Sequence, residues 1–190
     1  MRKQFLKLSA FGLITATLFT ACKKDPVTET NEEEVITTLV LKLTPQGGGS
    51  VLEYKFDDAD GPGGSAPLLD EVILAPNKVY DAKIILLNKT VNPVDTISNE
   101  VEEEGDAHRF YLEPAGANLT ISNLSNDVNG LPLGLESTWT TGAASTGKIQ
   151  ITLRHYPAVP PNKAANDLVT SPKSSTDLVL TNGGFAVKIQ

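Results

Sequence analysis

From Val35 onward, apolar side chains recur at alternate positions. Val35, Thr37, Leu39, Leu41 and Leu43 fall on one face of an extended segment with β-branched residues between them, and Pro45-Gln46-Gly47-Gly48-Gly49 ends the run. Side chains alternate faces along a strand, so this spacing predicts a first strand with one buried face. The same texture returns at Leu52, Tyr54 and Phe56, at Val72 to Leu74, and at Tyr80, Ala82, Ile84 and Leu86. It continues at Arg109 to Leu112, Leu119 to Ile121, Leu135 to Thr141, then Ile149, Ile151 and Leu153, and closes with Leu178 to Leu180 and Phe185 to Ile189. Gly-rich, Asn-Pro, Asn-Gly and Pro-Pro clusters separate these runs, and none of them sustains a helical period. The pattern predicts an all-β domain over residues 35–190, an antiparallel β-sandwich of immunoglobulin-like type, with Trp139 in its core. The stretch Pro157 to Lys173, rich in Pro, Asn and Ser, reads as a long loop across the domain.

The N-terminal residues follow a different pattern. Arg2, Lys3 and Lys7 precede the apolar stretch Leu8 to Phe19, which is too short to span a bilayer as a helix and reads as an export signal over residues 1–21. Cys22, the only cysteine, follows Phe19-Thr20-Ala21, a junction that resembles the lipobox of bacterial lipoproteins, where the thiol is acylated. Acyl chains contribute about 0.8 kcal/mol per buried methylene, so two or three hold a soluble domain at a membrane. Residues 22–34 are polar and acidic and read as a lipidated tether. Lys23 in place of an Asp resembles sorting to the outer membrane, with the domain on its periplasmic or surface-exposed side.

Charge narrows the partners. The chain carries 23 acidic against 16 basic residues, a net charge of −7, and loss of the basic leader makes it more acidic still. Nucleic acid and anionic lipid surfaces would repel such a domain, so nucleic acid is not an expected partner and cations are favoured. With its one thiol acylated, the domain has no internal disulfide and no catalytic cysteine. No Gly-x-Ser-x-Gly elbow, His-Glu-x-x-His motif or Gly-rich phosphate loop is present, so no enzymatic activity is expected.

Two kinds of metal constellation can be written down. If residues 102–108 are extended, Glu102, Glu104, Asp106 and His108 share one face, and His155, the second histidine, joins them if the two histidine strands are neighbours. Carboxylates with imidazoles suit zinc or copper. Separately, Ser125-x-Asp127-x-Asn129-Gly130-x5-Glu136 follows the spacing of a calcium loop, with Ser125 at the first ligand position and Pro132 inside. Asp58 and Asp60 before Gly61 repeat part of it, with Phe56 where the first ligand would be. The candidate cofactor is a divalent metal: zinc, copper or calcium. The competing explanation is that Asp, Asn and Gly are good turn formers and glutamate runs are solvated loops.

Several ordered segments together resemble a family of uncharacterised outer-membrane lipoproteins. They are Glu32 to Leu39, Thr44-Pro45-Gln46-Gly47-Gly48-Gly49, Val101-Glu102-Glu103-Glu104 through Tyr111, Leu135 through Ser145, and Leu153-Arg154-His155. Members are commonly labelled "type 1 periplasmic binding fold superfamily" and resemble products encoded beside TonB-dependent receptors. The resemblance spans roughly residues 22–189, and Phe56 and Ser125 depart from the fuller Asp-x-Asp-Gly runs of its members. It implies a TonB-dependent outer-membrane receptor as partner and transfers no established activity. The label implies two α/β lobes, which a chain of this length without helical periodicity does not supply. The expected function is a membrane-anchored, non-enzymatic module that captures a ligand, a metal ion among the candidates, for an uptake receptor. The alternatives are a structural or protein-interaction sandwich without a small ligand, and a carbohydrate-binding domain, which aromatic residues at 6% of the chain leave few rings to build.

Overall fold

The computed structural model describes residues 34–61, 64–157 and 162–190; the expected leader, Cys22 and the tether up to residue 33 lie outside them. Among the described residues, no helix is long and apolar enough to cross a membrane. Eleven strands form among the described residues, most of them where the sequence pattern predicts: β1 (Thr38–Pro45), β2 (Leu52–Asp57), β3 (Leu68–Leu69), β4 (Glu71–Leu74), β5 (Val79–Leu87), β6 (His108–Ala115), β7 (Leu119–Ser122), β8 (Glu136–Thr141), β9 (Ser145–His155), β10 (Ser175–Val179) and β11 (Phe185–Ile189). One short helix, α1 (Ile97–Glu103), interrupts them between β5 and β6.

The strands form two sheets, an all-β sandwich. The first has the order β3-β2-β1-β5-β8-β7, all antiparallel. The second has the order β10-β9-β11-β4, with β6 also paired to β9. Because Leu153 pairs with both Phe110 and Leu178, and Ile149 with both Pro114 and Phe185, β6 takes one edge of the long strand β9 while β10 and β11 share the other. The chain's last strand lies parallel to β4, so the sandwich is antiparallel except for that pair. Eleven strands and one parallel pair extend the seven- or nine-stranded immunoglobulin pattern.

Leu39, Leu41, Leu43, Ile84, Leu86 and Trp139 of the first sheet meet Phe110, Ile149, Ile151, Leu153, Phe185 and Val187 of the second in one apolar core. Trp139 is fully buried, as expected from the sequence, and its Nε1–H is satisfied by Ser137 Oγ at 3.0 Å. A buried N–H left without an acceptor costs about 1–3 kcal/mol. Ser137→Ala is therefore expected to lower stability by that amount, read as a fall in the urea midpoint with unchanged slope.

The segment after β9 packs over the outer face of the second sheet. Arg109 donates to the carbonyls of Ala164 and Ala165, Tyr111 to that of Asp167, and Arg154 to that of Ser171, so alternate residues of β6 and β9 strap residues 162–174 to the sheet. The opposite faces of the same two strands carry the candidate site.

Candidate metal centre

His108 opens β6 and His155 closes β9, and the antiparallel register sets them directly opposite one another. Opposed residues project from the same sheet face. The two rings accordingly stack with centroids 4.5 Å apart and planes inclined by 37°. Across the other edge of β9, Ser175 pairs with His155, Thr176 with Arg154, but Leu178 with Leu153, so Asp177 is the extra residue of a β-bulge. Strict alternation would turn Asp177 away from the core face that Leu178 occupies. The bulge re-aims it, as extra residues in strands commonly do. Its Oδ2 stands 3.5 Å from His108 Nε2 and 3.7 Å from His155 Nδ1.

The group is buried: the side chains of His108 and Asp177 are wholly inaccessible and that of His155 is 15% exposed. His108 Nδ1 lies 3.0 Å from the Glu104 carbonyl. A carbonyl only accepts, so Nδ1 carries the hydrogen and Nε2 faces Asp177. Burial opposes charging of His108, but the Asp177 carboxylate and then the Glu104 carbonyl outweigh it and hold the imidazole above its ordinary value.

The separations decide what this arrangement suits. A charge-assisted N–H···O bond closes to about 2.7–2.9 Å, so 3.5 Å is long for one, and neither His108 Nε2 nor either carboxylate oxygen of Asp177 has a hydrogen-bond partner. Zinc held tetrahedrally by bonds of about 2.0–2.2 Å requires donor-to-donor edges of about 3.3–3.5 Å. The observed 3.5 Å falls on that edge and 3.7 Å lies just beyond it, and one donor atom from each of the three residues lies within 4.8 Å of the others. The Glu104 carbonyl supplies the outer hydrogen bond that fixes a ligating imidazole's tautomer. The three residues thus fit a zinc or copper ion.

Two further carboxyls adjoin the group. Glu34 hydrogen-bonds Glu100 and feels the charges of His108 and Asp177; burial, and next the Glu100 carboxylate, push it up to about 7.

The expected ladder of Glu102, Glu104, Asp106 and His108 does not form. Ile97 and Val101, four apart, bury one side of α1, and Glu102 and Glu103 continue that helix on its exposed side. Turn hydrogen bonds from Glu104 N to Glu100 O, Ala107 N to Glu104 O and His108 N to Gly105 O then lead into β6, so residues 102–107 are never extended. Glu102, Glu104 and Asp106 are exposed, and Glu104 contributes its carbonyl to His108. His108 and His155 meet, and the third donor is Asp177.

The calcium expectation is also corrected. Asp127 Oδ1 accepts from the main-chain N–H groups of Asn129 and Leu131, closing the turn at Gly130, while its Oδ2 stands 2.7 Å from Lys163 Nζ. That ammonium is buried and donates to the carbonyls of Gly105, His108 and Pro132. A lysine therefore occupies the oxygen-lined position beside Asp127 that a cation would take. Asn129 is exposed at the turn, and Glu136 pairs across β8 and β5 with Lys83 at 3.1 Å. Asp60 caps Ser65 N at 2.8 Å, and Asp58 lines a separate cleft. These five residues supply turns, a buried ion pair and a surface pair, and none belongs to the donor group around His108.

Asp177, Lys163 and Glu34 were not singled out by sequence patterns. Alternation with Leu178 and Leu180 assigns Asp177 to the outward face, and no local signal marks the bulge that reverses it. Lys163 sits in a segment without periodicity, and its four oxygen contacts come from residues at least 31 positions away. Compared with known proteins, the chain matches no family model, no curated protein and no solved structure.

Proposed function

We propose that this chain is an exported lipoprotein, held at the outer membrane through acylated Cys22, whose sandwich captures a transition-metal ion at His108, His155 and Asp177. It acts without catalysing a reaction, as an accessory to an outer-membrane uptake receptor. The observation that carries the metal reading is the spacing of the three donors: too wide for hydrogen bonds, and matched to the edges of a metal polyhedron. Two imidazoles and one carboxylate suit zinc and copper better than calcium, which prefers six to eight oxygens.

The leader, the position of Cys22 and the resemblance to outer-membrane lipoproteins support the anchor and the receptor partner. Phe56, Phe110, Trp139 and Phe185 are buried in the core, so these rings serve packing rather than the stacking surface a carbohydrate-binding domain would present. Calorimetric titration of the metal-free full chain with zinc, copper and calcium tests the reading. One equivalent of zinc or copper should bind with a dissociation constant at or below about a micromolar, near −8 kcal/mol. Absence of heat for both ions at that concentration would refute the metal role.

A further inference from the structure

Two of the three proposed donors stand at the ends of one stretch of chain. His155 closes β9, Asp177 lies in β10, and the chain between them includes residues 162–174, which strap the outer face of the second sheet. The same strap grips the third donor through its main chain. Lys163 Nζ lies 2.6 Å from the Gly105 carbonyl and 2.9 Å from that of His108, on the turn whose Glu104 carbonyl fixes the His108 ring.

The other strap contacts come from residues next to the donors. Arg109 follows His108 and donates to the carbonyls of Ala164 and Ala165. Arg154 precedes His155 and donates to the Ser171 carbonyl and to the hydroxyl of Thr176, the residue before Asp177. Tyr156 follows His155, and its hydroxyl lies 2.6 Å from that of Tyr111, which donates to the Asp167 carbonyl. Neighbouring strand residues point to opposite faces, so Arg109 and Arg154 hold the strap outside while the histidines beside them face inward.

No apolar side chain of residues 162–174 is buried; the buried ones are those of Lys163 and Ser171. An element held by hydrogen bonds and ion pairs instead of apolar contacts opens locally at less cost than core strands. The Lys163–Asp127 pair adds little to that cost, because both charges regain water on opening. Opening releases the turn before His108 and the hold of Arg154 on Thr176, and with them the donor spacing of 3.5 and 3.7 Å. Taking these donors as the metal site, we propose that ion binding and docking of residues 162–174 are coupled. The ion draws the strap onto the sheet, Lys163 is a positioning residue for His108, and the outer face of the sheet differs between loaded and empty protein. An ion that binds only the docked form shifts the chain towards it.

Trypsin reads the undocked form, because the Lys163 side chain is wholly inaccessible and must leave its oxygen contacts before the bond to Ala164 can be cut. In the metal-free full chain, cleavage after Lys163 should precede cleavage after Lys148, which is paired on both sides within β9. Zinc at about a hundred times its dissociation constant should slow the cut after Lys163 about a hundredfold, measured against a free Lys-Ala peptide that reports protease activity. Asp177→Asn, about a hundredfold weaker for zinc, should at the same concentration be cut within about twofold of its metal-free rate. Cleavage after Lys163 no faster than after Lys148, slowing of less than about tenfold with zinc bound, or equal protection of the Asp177 variant would overturn the coupling. Zinc bound by calorimetry without protection refutes the coupling alone, whereas no zinc bound refutes the metal site and the coupling together.

Discussion

Asp177→Asn should lower zinc affinity at least about a hundredfold, since changes to the partners of metal ligands already cost about ten- to a hundredfold and this one removes a ligand's charge. The substitution is isosteric, so the β10 bulge keeps its shape and the two imidazoles stay opposed across β6 and β9. What disappears is the anionic oxygen 3.5 Å from His108 Nε2 and 3.7 Å from His155 Nδ1. A neutral amide oxygen donates more weakly to a dication, and nothing in the substituted side chain balances the ion's charge. Asp106→Asn is the matched control: its side chain is exposed and outside the donor group, and it should leave the titration unchanged. Equal zinc affinity in the Asp177 and Asp106 variants would show that the ion, if bound, sits elsewhere.

Lys163→Met should destabilise the domain by about 3–5 kcal/mol, the cost of leaving one member of a buried ion pair without its partner. Both side chains of the Lys163–Asp127 pair are fully buried, and the ammonium also satisfies three carbonyls drawn from the turn before β6, the start of β6 and the Asp127 loop. The shift in urea midpoint measures the loss. Its pH dependence has a definite sign. Burial opposes ionisation of Asp127, but Lys163 and the Leu131 and Asn129 N–H groups hold its carboxyl below the usual aspartate value of about 3.8. A depressed folded value contributes stability that is present above about 3.8 and is lost as pH falls through the folded value. Without the ammonium, the desolvated carboxyl moves upward, and acid then relieves the variant by protonating it. The gap between variant and parent should therefore narrow as pH falls from neutrality towards 5, and a gap that stays constant or widens would refute the pairing.

The carboxylate ladder beside His108 and the Asp127 calcium loop were not assembled as ligand sets, each for its own physical reason. The Glu102–His108 ladder assumed extended backbone, but the i, i+4 spacing of Ile97 and Val101 placed α1 there and turned the glutamates to solvent. The Asp127 loop has the turn chemistry its spacing suggests, with Gly130 at a φ of 77° that glycine adopts readily. Its carboxylate was already answered by Lys163, 36 residues downstream by sequence position. Local spacing describes donors and turns; it does not reveal which distant side chain fills the space between them.

Alternation of apolar and polar residues was enough to place ten of the eleven strands and to bury Trp139, because a strand's faces are set by neighbours two positions apart. The missing strand, β3, is two residues long and carries too little pattern to read. Sheet order, the parallel closure of β11 on β4, the bulge at Asp177 and the meeting of His108 with His155 depend on pairing between strands distant in sequence, 47 positions apart in the case of the histidines. Such pairing is decided by packing of the whole core rather than by any local run. By itself the sequence determined a β domain with two histidines at strand ends; only the tertiary structure brought those ends together and turned a carboxylate between them, because register and a single inserted residue govern where side chains point.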